Sequence, residues 1–301
     1  MATMNRSQFP RELQLGLFGT FGMNYDEWPV EWKDIFESDT SEKAYEEEVL
    51  LVGLGGANET KEGSSIVLDA GSEGWVARYD HRKTTIAFAI TEEARADNLY
   101  HNLASLYAKS AARGMRYKEE VDGANIINTA FTAANGGDGQ PLFSTAHPLQ
   151  GGGVAANTFT TAADLSEESL EDALIAIEGF VDDRGIPVKA MGKSLHIPRQ
   201  LDFVAHRILY STLRVGTANN DPNALKDMKK LPGGYSVNHY FADPDFWMIK
   251  TNIDQGFRHF QRAKMSKESL DDFDTGNYKF KMSQRYSFGY TNWRCAFGAH
   301  G

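Results

Sequence analysis

Ser144, Thr145 and His147 fall within four positions of GGDGQPLFSTAHPLQGGG, residues 136 to 153, a stretch bracketed by glycine clusters. A hydroxyl beside an imidazole is the nucleophile and base of a serine hydrolase, so acyl transfer is the first chemistry these types suggest. The spacing argues against it. Neighbours in sequence seldom face one another as base-assisted attack requires, and the chain has no G-x-S-x-G elbow. With Pro141 and Pro148 inside the stretch and glycines on both sides, an ordered turn whose job is shape is the expectation.

Three other groups of residues invite a chemical reading. LLVGLGGAN, 50 to 58, starts like a dinucleotide-binding turn at Gly53 and Gly55, but position 58 is Asn. The following ETKEGSS cannot carry an apolar-faced helix, so no helix N-terminus is available for a pyrophosphate, and a hairpin tip is the better reading. The eight histidines show neither H-x-H nor H-x-x-x-H spacing, which leaves a metal site unsupported. His196, inside a strand-like KSLHI, reads as a core or interface residue. Cys295, the single cysteine, reads as buried and inert, and it rules out an internal disulfide and a four-cysteine zinc site. No catalytic, cofactor-binding or metal residue is assigned.

The elements around these residues suit a large α+β chain. At 301 residues with 41% hydrophobic and 24% charged side chains, it can bury one large core or two smaller ones. A net charge of −10 disfavours duplex DNA as a gripped ligand. No apolar run approaches the ~20 residues that span a bilayer, and the N-terminus has no signal-peptide core, so a reducing cytoplasm is expected. Charge is unevenly placed: ten acidic and two basic residues from Asp26 to Glu48, eight basic and four acidic from Arg258 to Gly301. Opposite-sign ends suit either self-association or two solvated surfaces.

Residues 1 to 45 read as an arm. In DEWPVEWKDIF, Pro29 suits a first helical turn and Trp28, Trp32, Ile35 and Phe36 share a face that needs a surface to lie on. VLLVGL, SSIVLDA, GWVARYD and TTIAFAI, within 46 to 90, read as short strands of an extended hairpin. TEEARADNLYHNLASLYAKSAARGM, 91 to 115, predicts a helix capped by Thr91, faced by Leu99, Leu103 and Leu106, and stopped at Gly114. Farther on, Ser166 caps a helix with Leu165 and Leu170 placed as a staple. KSLHI leads at Pro198 into a helix with Leu201, Val204, Ala205, Ile208 and Leu209 as its stripe. Strands YSVNHYF and FWMIKT follow, and in the last forty residues Tyr278, Phe280 and Met282 alternate with Lys279 and Lys281.

In this order, the pieces resemble the major capsid proteins of tailed bacteriophages, in particular the Mu-like major head subunit. The resemblance runs through SEKAYEEE, EGSSI and EGWVARYDH, FAITEEARADNLY, IINTAF and DGQPLFSTAHP. It continues through LSEESLEDALIAI and KSLHIPRQLDFVAHRIL to RYSFGYTNWRCAFG, nearly the whole chain. It implies the Hong Kong 97-type capsid fold: an N-terminal arm at 1–45 and an extended β-hairpin loop at 46–90. The peripheral domain would take 91–161 with its spine helix, the axial domain 162–254, and strands from 255–301 would return to the peripheral domain.

The function implied is a structural subunit of the icosahedral head, assembled in the bacterial cytoplasm into hexamers and pentamers around double-stranded DNA. The DNA would be a neighbour by proximity only; neither a membrane nor a cofactor is implied. Partners would be a separate scaffolding protein, the portal and a decoration protein. The chain reaches arm-like sequence within ten residues, so a separate scaffold or an already processed chain is expected. Some relatives weld subunits by a lysine–asparagine isopeptide bond; Lys61 and Asn58 lie near the hairpin tip, but no cross-linking motif surrounds them. A cargo compartment of the encapsulin type is the rival of the same fold. A hydrolase using Ser144 and His147 is the rival of another class. Removal of residues 1–40 is expected to prevent stable shells while leaving folded subunit.

Overall fold

Strict alternation in YKFKMSQRYSFG places apolar side chains on one side of a strand and lysines on the other, and a long antiparallel pair is built on it. A computed structural model of the chain describes residues 30–93, 101–213 and 222–301, the side chains of 101–109 excepted. In chain order its elements are α1 (Trp32–Ile35), β1 (Glu37–Thr40), β2 (Tyr45–Val52), β3 (Ser72–Asp80), β4 (Arg82–Ile90) and α2 (His101–Asn128). Then come β5 (His147–Pro148), β6 (Val154–Ala155), α3 (Glu167–Glu178), β7 (Gly192–Pro198), α4 (Asp202–Tyr210) and α5 (Ala224–Asp227). β8 (Tyr235–Asn238), β9 (Trp247–Thr251), β10 (Phe257–Asp271), β11 (Tyr278–Tyr290) and β12 (Ala296–Ala299) complete it.

One sheet has the order β1-β10-β11-β4, and α2 lies on it. Ala111, Ala112 and Met115 of α2 bury against Met282 of β11, so small side chains on the helix let it approach the strands. The helix runs straight through Gly114, where the sequence predicts a stop. A helical glycine costs roughly 1 kcal/mol relative to alanine, and the buried residues on either side offset it. Gly123 carries a closer contact: a Cβ there would sit 3.3 Å from both Phe288 and Trp32. Leu99, Leu103, Leu106 and the tyrosines beside them lie outside the described side chains. The β10–β11 ladder slips between Gln261 and Ala263 and again before Ser266; beyond these bulges β10 becomes mostly exposed.

The second sheet has the order β12-β9-β7-β8, with α3 and α4 packed on it. The predicted cap is present: Ser166 accepts from the Ser169 backbone, Ser169 reciprocates, and Leu165 and Leu170 are both buried in this core. Of the predicted α4 stripe, Ala205, Ile208 and Leu209 are buried, and Leu201 and Val204 pack at its border. Alternation along β9 divides the interior in two: Trp247 and Ile249 enter the core under α3 and α4, while Met248 enters the one shared by α1 and α2. The last strand, β12, pairs with β9 and not with the β10–β11 sheet, so the C-terminal segment is divided between both sheets.

One expectation is revised and two open ones are narrowed. SSIVLDA forms no strand: β2 and β3 pair from Tyr45↔Asp80 to Val52↔Ser72, and 53–71 lie beyond the ladder with no partner for their β-branched side chains. The helix in DEWPVEWKDIF is only one turn among the described residues, and Trp32, Ile35 and Phe36 are buried in the subunit's own core. Pro29 and Trp28 lie outside the described residues. A cut after residue 40 would therefore remove core side chains and β1 as well as the arm. Finally, the acidic and basic ends meet within one chain, where β1 runs parallel to β10 and Arg258 lies 3.1 Å from Glu37, 3.1 Å from Asp39 and 3.4 Å from Glu48.

Candidate functional site

The glycine-bracketed loop is a buried knot. Leu142, Phe143 and His147 are at most 2% exposed. His147 has Nδ1 2.6 Å from Asp138 Oδ2 and Nε2 3.1 Å from Asn157 Oδ1, and its ring stacks on Trp293 at 4.4 Å and 3°. Asn157, fully buried, donates from Nδ2 to the carbonyls of Leu142, Trp293 and Ala296, which fixes its amide orientation. Its Oδ1 also accepts the Ser144 backbone N–H at 3.0 Å. Gly298, on β12, completes the fit, because a Cβ there would meet the Phe143 ring at 2.5 Å. Asp138 and Asn157 carry this knot, and neither stood out in the sequence, because no fixed spacing announces a buried amide.

This geometry does not perform acyl transfer. Ser144 Oγ caps the backbone N–H of Ala146 at 3.1 Å and lies 3.5 Å from Gln140, while both nitrogens of His147 are occupied by Asp138 and Asn157. A base that faces an amide oxygen and not the serine cannot activate it.

The remaining candidates are also structural. Burial pushes the Cys295 thiol up to about 12, away from nucleophilic character. His196, 1% exposed, lies between Ser194 Oγ at 2.9 Å and Ser236 Oγ at 2.7 Å; burial first, then the Lys250 charge, pushes it down to about 3. Gly53 and Gly55 precede irregular chain and no helix. Lys61 and Asn58 lie exposed in that same segment, and among the described residues no group of histidine, cysteine and carboxylates could hold a metal ion. Among them, too, no helix is long and apolar enough to cross a membrane.

What the surface offers instead is exposed apolar area. Leu54, Ile66, Val67 and Leu68, beyond the β2–β3 ladder, are 61–92% exposed. Phe273, in the turn between β10 and β11, is fully exposed and Leu270 is 73% exposed. On the other sheet's helices, Ile175 and Phe203 point outward at 70% and 79%. Scattered exposed leucines are ordinary, but contiguous exposed β-branched and leucine side chains beyond the ladder form an apolar patch larger than scatter accounts for.

Polar contacts tie the N-terminal entry to α2. The Glu120 carboxylate of α2 accepts the backbone N–H groups of Glu31 and Trp32, and the Glu31 carboxylate reaches His239 beyond β8. Glu119 beside it lies 3.5 Å from Arg116 and 3.8 Å from His259, and burial pushes its carboxyl upward.

A family model described as phage capsid protein matches residues 78–298. No curated protein matches the chain. Among solved structures it is similar to a chain from Mycobacterium phage Adephagia, at 11% identity and TM-score 0.57 over 99% of this chain and 98% of that one. It is also similar to a chain in the capsid of Myoviridae phage XM1, at 10% identity and TM-score 0.54 over 91% and 92%. The capsid of Cyanophage P-SCSP1u gives 13% identity and TM-score 0.54 over 90% and 88%.

Proposed function

Because the chain belongs to the phage capsid protein family, it is a structural major capsid protein with no enzymatic role, and we propose how its parts serve a shell. The fold is mixed α and β, and the likeness to phage capsid chains over nine-tenths of its length supports the Hong Kong 97-type arrangement in particular. In this reading 1–45 is the arm, 46–90 the extended loop and α2 the spine of the peripheral domain. The sheet with β7 and β9 then forms the axial domain, meeting its symmetry mates in hexamers and pentamers. The head encloses double-stranded DNA and is assembled in the host cytoplasm with a scaffolding protein, a portal and a decoration protein. The Mu-like placement rests on the ordered sequence pieces alone.

The observation that carries this reading within the structure is the loop of residues 53–71. It holds three successive large apolar side chains that the subunit's own core does not cover. A subunit whose core is complete but whose projection is not is suited to repeated, individually modest contacts that close into rings. A subunit with a net charge of −10 suits a shell that encloses DNA without gripping it.

Negative-stain electron microscopy with light scattering on the purified protein tests it. Closed shells, or rings of five and six, are the expected result. A uniform monomer that stays so on adding a candidate scaffolding protein overturns the reading. Removing residues 1–29, which spares the buried Trp32, Ile35 and Phe36, is expected to abolish stable shells and leave the subunit folded.

A further inference from the structure

The sheet that carries α2 has two open edges, and they are built differently. β1 covers β10 only as far as Gln261; the free edge beyond is broken by two bulges and carries Lys264 and Lys267. Bulges and lysines keep a free edge from pairing with another chain. β4, at the other end of the sheet, lacks both after Lys83. Its register with β11 is unbroken from Arg82 to Ile90, and TTIAFAI holds no charge, proline or glycine. Among the described residues no backbone hydrogen bond reaches the outer side of 83–87, and Thr85, Ile86 and Ala87 are exposed. A regular, uncharged edge of this kind is a template for another strand.

The same chain holds a strand-like segment without a ladder. Residues 64–68 are exposed throughout, and Ile66 and Val67 are β-branched side chains that favour a strand. The end of this segment is held at Arg184, which lies 3.6 Å from Asp69 and donates to the Ala70 carbonyl at 2.7 Å. Among the described residues no backbone hydrogen bond joins 64–68 to β4 of the same chain. Segment and edge are matched in charge: residues 53–71 carry Glu59, Glu62 and Asp69 against Lys61, and β4 opens with Arg82 and Lys83. They are matched in apolar pattern too. Ile86 pairs with Met282 on the face that packs α2, where Met282 is fully buried and Ile86 is left 37% exposed at the rim.

We propose that residues 64–69 of one copy add as an antiparallel strand to the free edge of β4 in a second copy, with Ile66 opposite Ile86. The inference rests on the reading of the chain as a shell subunit and names the surface that receives its open loop. In this register Ile66 and Leu68 extend the apolar rim at Ile86, Val67 lies beside Thr85 on the other face, and Asp69 comes to Lys83. A parallel strand would set Gly63 opposite Lys83, and Gly63 has a φ of +82°, which ends the strand there. Main-chain hydrogen bonds supply the affinity and the apolar alternation fixes the register, since a slip of one residue turns Ile66 and Leu68 away from the rim. The bulged edge of β10 takes no partner.

Particles assembled from an equal mixture of Val67→Cys and Thr85→Cys subunits test the pairing. Both positions are exposed, and the native Cys295 is buried, so a Val67–Thr85 disulfide must join two copies. After mild oxidation a linked dimer is expected on non-reducing gels, with the joined peptides identified by mass spectrometry. Dispersed subunits of the same mixture, and particles that pair Val67→Cys with Ser266→Cys on the β10 edge, are expected to give none. Particles without the Val67–Thr85 link, or with as much link to Ser266→Cys, overturn the pairing and leave the shell reading standing. A wild-type chain that forms no particles overturns both. Should the cysteine variants fail to assemble where wild type does, hydrogen–deuterium exchange of wild type decides. Amides in 64–69 and in 83–87 are both expected to gain about tenfold or more in protection on assembly, and no gain in either segment overturns the proposal.

Discussion

Two segments of this molecule look alike on paper, GGDGQPLFSTAHPLQGGG and GLGGANETKEGSSIVLDAG. Both are glycine-rich, irregular and of similar length, and they end in opposite states. In the first, Leu142, Phe143 and His147 are buried; in the second, Leu54, Ile66, Val67 and Leu68 lie in solvent. The difference is not hydrophobicity, which is comparable. It is the presence of anchors elsewhere in the chain. Asn157 and Trp293 close on the first loop from later positions and Asp138 braces it from within, whereas residues 53–71 have the β2–β3 ladder behind them and are tied through Asp69, with its contacts to Gly55 and Arg184, and the Ala70 carbonyl, which accepts from Arg184. One loop is completed by its own chain, and the other stays open.

The sharpest way to break that contrast is to remove the anchor. Asn157→Ala leaves three buried carbonyls, the Ser144 N–H and His147 without their partner. We expect a loss of about 3–5 kcal/mol, since each uncompensated buried polar group costs about 1–3 kcal/mol and the effects overlap. Urea unfolding of the dispersed subunit measures it; a loss below about 1 kcal/mol would show that water takes over the amide's role. Next in size is Asp183→Ala. Arg294 Nη2 lies 3.4 Å from Asp183, with both side chains almost fully buried, so removing the carboxylate leaves a buried guanidinium with the Val181 carbonyl on Nε but without its carboxylate, at a cost of about 3 kcal/mol.

Acid probes the same interior in a graded way. His196 is held neutral between two serines, and burial pushes it down to about 3 against an ordinary 6.5. In the unfolded chain it takes up a proton below 6.5 while the folded chain refuses it. Its contribution is therefore complete above 6.5 and is lost as pH falls towards 3, about 2 kcal/mol of it by pH 5. His259, pushed down to about 4 by burial first and Lys33 second, adds to the same slope. His196→Gln is expected to flatten the dependence of unfolding free energy on pH between 6.5 and 5; an unchanged slope would place the acid sensitivity elsewhere.

How much of this was legible follows the range of each interaction. Local rules found the Ser166 cap with its staple, the α4 stripe, β7 and the alternating β11, because capping and periodicity act within a few residues. The ordered motifs gave the family. Gly114 misled because a stop signal is local and the packing of Ala111, Ala112 and Met115 is not. SSIVLDA misled because β propensity says that a segment accepts a partner, not that one is present. The charge asymmetry left self-association and two solvated surfaces open, and neither reading foresaw that Arg258 meets Glu37, Asp39 and Glu48 within one chain. Asp138, Asn157 and Glu120 were invisible, since each acts on backbone or side-chain groups that only the tertiary fold brings near.

The exposed loop gives the smallest effect on the subunit and the most informative one. Replacing Ile66, Val67 and Leu68 together by serine changes side chains that touch little in the monomer, so its unfolding free energy should move by less than about 0.5 kcal/mol. If these side chains are buried between subunits, each forfeits about 1.5–3 kcal/mol of transfer free energy at every copy of the contact. A shell repeats that contact many times, so a change too small to see in the subunit should abolish closed particles in light scattering and microscopy. Normal shells from the triple variant would mean that this tip stays in solvent after assembly, and would move the search for the contact surface to Phe273 and Leu270. A destabilised subunit would mean that the tip already packs within its own chain. Only stability kept together with assembly lost fits a loop that its own fold leaves open.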